Sequence, residues 1–321
     1  MKARFGMIGL GSIANRFATV LNTSSEGELV SVAAKDLDRA KAFAEKHGAK
    51  KAYGAYVDIV NDPEVDIIYI ATTHNFHYEI AKLCVEHGKA VICEKPFFLT
   101  KKEAESLAAL AKEKKVLVME AMWTRCLPTF QKAKEWAQDG TIGQVKFIDA
   151  SFSFNCGFDA EMRLFNPKIG GGSLYDAGVY PIEFITGIVG QKPDEIKALV
   201  VKGKTGVDEY ATIGMSFAGG TLATARCGIS VGTNIDAHIY GTEGKIIVRE
   251  FLSAKVCELY DREGALKDTF TADFEDGFIF EIDHVAGLFK EGKLDSSYIP
   301  ISDTIDCAEL FDIVKEQCNL I

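Results

Sequence analysis

Phe5-Gly6-Met7-Ile8-Gly9-Leu10-Gly11-Ser12-Ile13-Ala14 is the stretch whose reading decides the fold. Its first four residues are apolar or small, two glycines bracket a leucine, and Phe17, Ala18, Val20 and Leu21 then recur at helical spacing. The order is strand, glycine turn, helix. Gly9 permits the tight turn, and Gly11 lets the backbone approach a pyrophosphate. Ala14 allows the helix to pack close to the strand, while free N–H groups at Ser12 and Ile13 face the phosphates. The competing reading of the same residues is a glycine turn that only packs.

Leu29 to Ala34 reads as a second strand, ending about twenty residues past the glycine turn, where dinucleotide sites usually carry an acid for the ribose hydroxyls. Ala34 and Lys35 stand there instead. A lysine attracts a 2′-phosphate, so Lys35 favours NADP with NAD possible, and Asp36 opposes this unless its side chain points away. The plainer alternative is a solvated lysine at a helix start. A helix follows to His47 and ends at Gly48. Asp66 to Ala71 is the next strong strand, stopping at Thr72-Thr73-His74-Asn75-Phe76-His77, whose short polar side chains suit a ribose or a carboxamide.

After a helix from His77 to His87, Ala90-Val91-Ile92-Cys93-Glu94-Lys95-Pro96 reads as a short buried strand halted by an acid, a base and a proline. The carboxyl ends of parallel strands face the ligand crevice of open α/β sheets, which puts Glu94 and Lys95 at its edge. Pro96 restrains the turn around Lys95. A helix from Lys101 to Lys115 and a strand at 116–120 complete the alternation. Residues 1–120 are therefore predicted to form a doubly wound, mostly parallel Rossmann-type α/β domain.

Beyond Ala121 the pattern changes. Met122-Trp123-Thr124-Arg125 leads into a helix from Pro128 to Asp139. Then Ile148, Ala150, Phe152 and Phe154 alternate with polar residues, as do Ala211, Ile213, Met215 and Phe217. Strand-like runs near 221–230, 234–240 and 245–249 follow without intervening helices. Residues 121–321 are thus expected to form an α+β domain with an open, largely antiparallel sheet, one face of it uncovered. Within it, Gly170-Gly171-Gly172-Ser173 precedes a helix, with Ser173 as its N-cap. Asp176 and Tyr180, four apart, share one helical face, and Pro181 loosens the helix beside Tyr180.

At 321 residues the chain has room for two domains. Its 47% hydrophobic and 26% charged residues describe an ordinary globular protein with ample core. Net charge −10, with no Lys/Arg-rich cluster, argues against nucleic acid as a partner. No apolar run reaches membrane-spanning length, and Met1-Lys2-Ala3-Arg4-Phe5 runs straight into a strand rather than an export signal. The cysteines at 84, 93, 126, 156, 227, 257, 307 and 318 contain no Cys-x-x-Cys pair and read as reduced packing residues of a cytoplasmic protein. His74 and His77 lack partners at metal-site spacing, so no metal is expected. No internal repeat or low-complexity segment appears.

Gly9-x-Gly11-x-x-Ala14, Glu94-Lys95-Pro96 after the fifth strand and Asp176-x-x-x-Tyr180 after a triple glycine together resemble the glucose-fructose oxidoreductase/inositol dehydrogenase superfamily (Gfo/Idh/MocA). The resemblance covers nearly the whole chain. Met122-Trp123-Thr124-Arg125 and Arg163-Leu164-Phe165 are further similar to the branch containing dimeric dihydrodiol dehydrogenase and NADP-dependent D-xylose dehydrogenase, where tyrosine, as at Tyr180, replaces a histidine. Ala34-Lys35 stands where many relatives show Ser-Arg. Lysine keeps the charge and loses the planar fork.

The resemblance implies an NADP-preferring oxidoreductase moving hydride to or from a secondary alcohol carbon of a sugar, polyol or cyclic diol. Residue chemistry supplies the roles. A tyrosine hydroxyl ordinarily titrates near 10, and an ammonium at about 4 Å is worth roughly 4 kcal/mol at an effective dielectric near 20, about three pKa units. Tyr180 is accordingly the candidate acid/base, Lys95 the cation that tunes it and contacts the cofactor ribose, and Asp176 the group that orients Lys95 or the substrate hydroxyls. Trp123, Phe154 and Arg163 either line the substrate pocket or serve as packing and ion-pair residues. Two competing readings are a non-catalytic nucleotide-binding regulator on the same scaffold and an enzyme cycling a tightly held cofactor between two sugars. The retained Lys95, Asp176 and Tyr180 favour a dehydrogenase over the first, and the lack of an export signal and arm argues against the second. The uncovered sheet face points to a homodimer or tetramer.

Overall fold

The structure is a computed structural model that describes residues 1–320. The chain forms two compact units, Met1–Trp123 with Asp276–Ile305, and Thr124–Glu275 with Asp306–Ile321.

The first unit alternates strand and helix as the apolar periodicity requires: β1 (Ala3–Ile8), α1 (Ser12–Leu21), β2 (Gly27–Ala33), α2 (Leu37–His47), β3 (Lys51–Tyr53), α3 (Tyr56–Val60), β4 (Ile67–Ile70), α4 (His77–Glu86), β5 (Ala90–Glu94), α5 (Lys101–Lys114) and β6 (Val118–Ala121). The strands lie in the order β3-β2-β1-β4-β5-β6, every neighbouring pair parallel. Every residue of β4, β5 and β6 is buried, as expected of central parallel strands covered on both faces. Strand order reverses between β1 and β4, so the crevice beyond their carboxyl ends is the ligand position of this doubly wound topology.

In the second unit, α6 (Trp123–Cys126) begins at the boundary, and α7 (Pro128–Gln138) and β7 (Val145–Ser153) follow. A π-helical turn at Leu174–Gly178 then runs directly into α8 (Val179–Val189). The remaining strands are β8 (Glu195–Lys202), β9 (Asp208–Phe217), β10 (Thr221–Gly228), β11 (Ala237–Gly241), β12 (Gly244–Arg249), β13 (Val256–Asp261) and β14 (Leu266–Thr271). They form one sheet ordered β14-β13-β12-β11-β7-β10-β9-β8, antiparallel except for the β7–β10 pair. Helices α7 and α8 pack on one face. On the other, Tyr240, Phe147 and Leu222 stand in one row across three hydrogen-bonded strands and are exposed.

Two helices close the chain, α9 (Phe278–Lys290) and α10 (Ile301–Cys318). Helix α9 belongs to the first unit: its buried Phe278, Ile282, Val285 and Ala286 pack toward α1, β1 and β2, with Phe278 edge-on to Phe17 at 6.3 Å. The sequence division gave everything after residue 120 to the second domain, whereas Asp276–Ile305 folds with the first. An amphipathic helix announces that it has an apolar face but not which sheet receives it.

Candidate functional site

In the first unit the glycine turn is shaped by contact as well as by dihedral angle. Gly9 has φ +87°, and a Cβ there would lie 2.6 Å from the Ala71 carbonyl group at the end of β4. Gly11 is the opposite case. A Cβ there would meet nothing within 4 Å, and Gly11 caps the start of α1 without a side-chain hydrogen bond or an acidic residue in the first turn. An uncapped helix start with open space beside it fits a diphosphate. At the end of β4, the buried Thr72 hydroxyl has no hydrogen-bond partner among the described residues, a donor left over for a ligand. The Thr73 hydroxyl donates to Asn75 Oδ1 at 2.8 Å, and the His74 and His77 rings meet edge-on at 5.7 Å. His77 is fully buried, its ring nitrogens 2.9 Å from the Pro96 carbonyl and 3.1 Å from that of Thr72, so it braces two strand ends against each other.

Charge near the end of β2 is resolved by geometry. Asp36 turns into α2 as its N-cap, accepting from the N–H groups of Asp38 and Arg39. Lys35 is exposed, its ammonium 5.2 Å from the Phe76 ring centroid. Arg39 donates through Nη2 to the Leu10 carbonyl at 2.8 Å, which brings a cation to the glycine turn. Arg39 was not among the sequence candidates: it sits in the first turn of α2 and its partner, the Leu10 carbonyl, lies 29 residues away, so no local spacing marked it.

At the end of β5 the side chains diverge. Glu94 points into the unit, where Tyr69 donates to its Oε1 at 2.5 Å and Tyr69 stacks on Phe17 at 3.7 Å. Burial pushes the Glu94 carboxyl up, against the Tyr69 hydrogen bond that favours its charge. Lys95 is half-buried, in a cis linkage to Pro96. Glu120, at the end of β6, holds the turn by accepting from the Phe97 N–H at 2.9 Å and the Thr304 hydroxyl at 3.0 Å. Trp123 meets the Phe278 ring at 5.2 Å and the Arg16 guanidinium at 5.1 Å, and Arg16 is forked onto Asp276 at 2.7 and 2.9 Å.

In the second unit Asp176 and Tyr180 are both half-buried. Arg163 Nη2 pairs with Asp176 Oδ1 at 2.7 Å, so the Arg163 contact is an ion pair with the candidate carboxylate. Its Nη1 is buried and has no hydrogen-bond partner among the described residues. The Tyr180 ring meets Phe152 edge-on at 5.6 Å, and Phe152 meets Phe154 at 5.4 Å. Phe154 also packs on the cluster of Leu164, Phe165, Val207 and Ile229. Phe152 therefore touches the tyrosine ring.

The helix carrying this pair differs from the expected one. Ser173 has helical backbone angles and caps nothing; its hydroxyl donates instead to Asp208. Asp176 lies in the π-helical turn and Tyr180 in α8, so the pair spans a change of helical winding rather than one regular face. Pro181 lies in a helix continuous with the π-helical turn, and its missing N–H falls directly after the change of winding beside Tyr180. Three residues on from Tyr180, Glu183 pairs with Arg125 at 3.0 Å, both fully buried, while Arg125 donates to the Glu183 carbonyl at 2.9 Å and to the Thr186 hydroxyl at 2.8 Å. The Arg125 of the Met-Trp-Thr-Arg run thus ties α6 to α8. Among the described residues, no three His, Cys, Asp or Glu side chains gather in a metal-binding arrangement.

Chemically, the first unit offers an open, uncapped helix start, cations near its second strand and a lysine at a strand end. The second offers a phenol, a carboxylate and a guanidinium. The sequence pattern of an oxidoreductase family with an NAD-binding Rossmann fold matches residues 3–122, and that of the GFO/IDH/MocA C-terminal domain matches residues 130–247. The chain is 33% identical over 324 residues to mouse trans-1,2-dihydrobenzene-1,2-diol dehydrogenase, covering 98% of this chain and 97% of the relative. It is 32% identical over 326 residues to the human protein of that name, covering 98% and 97%. Its fold is similar to that of a levoglucosan dehydrogenase solved with NADH and levoglucosan, with TM-score 0.90, 20% identity and 99% and 98% of the two chains covered. It is likewise similar to a 3-ketoreductase from Actinomadura kijaniata solved with NADP and TDP-benzene, with TM-score 0.87, 24% identity and the same coverage.

Proposed function

The chain belongs to the GFO/IDH/MocA oxidoreductase family, and from that premise we propose that it is an NADP(H)-preferring dehydrogenase acting on a secondary alcohol of a cyclic diol or sugar. The observation that carries the cofactor half is Gly11, an open, uncapped helix start at the switch point of the sheet. Gly9, Gly11, Ser12, Ile13 and Ala14 would hold the diphosphate, Lys35 and Arg39 the 2′-phosphate, and Thr72, Thr73, His74 and Asn75 the ribose and carboxamide side, with His77 and Glu94 bracing the strand ends around them. The dinucleotide, when bound, supplies the hydride acceptor or donor.

The chain's own residues move the proton. Tyr180 is the acid/base at the substrate hydroxyl, and Lys95, the cation at the end of β5, contacts the cofactor ribose. Asp176, held by Arg163, orients the substrate hydroxyls, and Phe152 and Phe154 provide an apolar wall for a ring. Dihydrodiol dehydrogenases of similar sequence make a trans-cyclic diol the first substrate to try. Purified protein with NADP and a panel of trans-cyclic diols, aldoses and polyols is expected to produce reduced-nicotinamide absorbance. In Tyr180→Phe, kcat is expected to fall about a hundred- to ten-thousand-fold with cofactor affinity retained. Turnover within a few-fold of the parent would remove Tyr180 from the chemistry, and cofactor binding with no turnover on any member of the panel would favour a nucleotide-binding regulator.

The exposed row of Tyr240, Phe147 and Leu222, beside Leu199 at 79% and Val201 at 59% exposure, supports a homo-oligomer that pairs through this sheet face. Sedimentation is expected to give a dimer or tetramer, and a monomer with Phe147→Asp and Leu222→Asp combined. No disulfide joins the eight cysteines among the described residues, which supports a reducing cytoplasmic setting. No helix among the described residues is long and apolar enough to cross a membrane.

A further inference from the structure

The turn that presents Asp176 and Tyr180 rests on a carboxylate that the catalytic reading leaves unused. Asp208, the first residue of β9, is 4% exposed. Its Oδ2 accepts from the Ser173 hydroxyl at 2.7 Å and from the Leu174 N–H at 2.5 Å, the two residues that open the π-helical turn. Gly172 packs directly on the same side chain: its φ is +115°, and a Cβ there would collide with Asp208 Oδ1. From below, Cys227 of β10 places Sγ 3.4 Å from the Ser173 hydroxyl, and a Cβ added to Gly178, at the far end of the turn, would lie 3.0 Å from that sulfur. Asp208 and Cys227 thus grip both ends of the five residues that contain Asp176.

We infer that Asp208 is a positioning residue for catalysis, its carboxylate setting the winding of the Leu174–Gly178 turn and through it the placement of Asp176 and Tyr180; this rests on the reading of those two residues given above. The physical argument has three parts. A π-helical turn hydrogen-bonds less well than an α-helix and persists where surrounding contacts impose it. A charged acceptor receiving two donors on one oxygen is such a contact, because charge-assisted hydrogen bonds are the strong ones. Burial also pushes the Asp208 carboxyl up to about 6, so its charge is held at a cost to folding, and a charge kept at such a cost fits a role in presenting the turn. The titratable groups near it from other elements include Tyr175 of the turn, the Cys227 thiol on β10 and, from α10, Cys318 and Lys315.

Asp208→Asn removes the charge and keeps the shape. If Asp208 positions the turn, kcat falls about 10- to 100-fold while the cofactor dissociation constant stays within twofold and the thermal midpoint does not drop. A purely architectural aspartate gives the reverse, a lower midpoint with kcat unchanged well below it, and that result overturns the inference. Should Asp208→Asn not fold, Ser173→Ala removes one of the two donors. A reduced kcat with unchanged cofactor affinity then supports the proposal, and an unchanged kcat rejects it. Tyr180→Phe measured in parallel separates the two levels: an active Tyr180→Phe overturns the catalytic reading itself, whereas an inactive Tyr180→Phe beside a fully active Asp208→Asn overturns only the role given to Asp208.

Discussion

The two units secure their functional groups by different means. In the first, much of the candidate site is built on backbone: an open helix start at Gly11, strand ends that touch at Gly9 and Ala71, and a turn after Lys95 pinned by Glu120 through a main-chain N–H. In the second, position comes from charged side chains meeting across the sequence. Asp208 grips the π-helical turn, Arg163 holds Asp176, and Arg125 holds the helix of Tyr180 through Glu183. Backbone sites follow from topology, because parallel strands ending at a reversal of order leave a crevice whatever their side chains. Side-chain sites follow from partners, each of which costs desolvation and fails if its mate is removed.

The contrast is most severely tested at Arg125. Arg125→Met leaves the Glu183 carboxylate buried without its cation, and the second unit is expected to lose about 3–5 kcal/mol in urea unfolding. A loss under about 1 kcal/mol would mean that apolar packing, not the pair, holds α8. The next effect is one of pH. The Asp208 carboxyl titrates at about 6 against an ordinary 3.8, so the folded state keeps a proton the unfolded chain has released. Its contribution to stability is complete below about pH 4 and is lost as pH rises through 6, by up to about 3 kcal/mol. Stability measured from pH 4 to pH 7 should carry this falling component, and Asp208→Asn should remove it.

Smaller still is the expected effect at the glycine turn, where only ligand contact is at stake. Gly11→Ala fills space that no described residue occupies. The unliganded protein is expected to unfold at the parental midpoint while NADP binds about tenfold more weakly, a loss of about 1.4 kcal/mol. A lowered midpoint without cofactor would show that Gly11 serves packing and would blur the distinction between the units. Lys35→Ala, near the bottom of the scale, should weaken NADP a few-fold and leave NAD unaffected, as titration of both cofactors would reveal.

Much of the first unit was legible because its signals are local. Strand, glycine turn and helix lie within twenty residues, and β4 and β5 are unbroken apolar runs that stop at polar residues. The short β3 and α3, and the outer strands β8, β13 and β14, carried too little pattern to be named. Most of β14, for instance, is exposed, so no buried face imposes an alternation on its residues. Asp176 and Tyr180 were visible as a spacing, but the winding between them was not, because Asp208 lies 34 residues beyond the turn it anchors. Arg163 was legible only as a candidate; its pairing with Asp176 required the fold.

By itself the sequence determined the periodicities, and with them a doubly wound parallel sheet followed by a largely antiparallel one, the glycine turn suited to a dinucleotide, and the residues fit for proton and hydride chemistry. Tertiary structure alone decided that α9 returns to the first unit, that Ser173 serves Asp208 rather than its own helix, and that the Arg125–Glu183 pair is buried. Periodicity is a property of neighbours along the chain, set by the geometry of one element at a time. The partner of a buried charge or of an apolar face is chosen by the free energy of the whole packed unit.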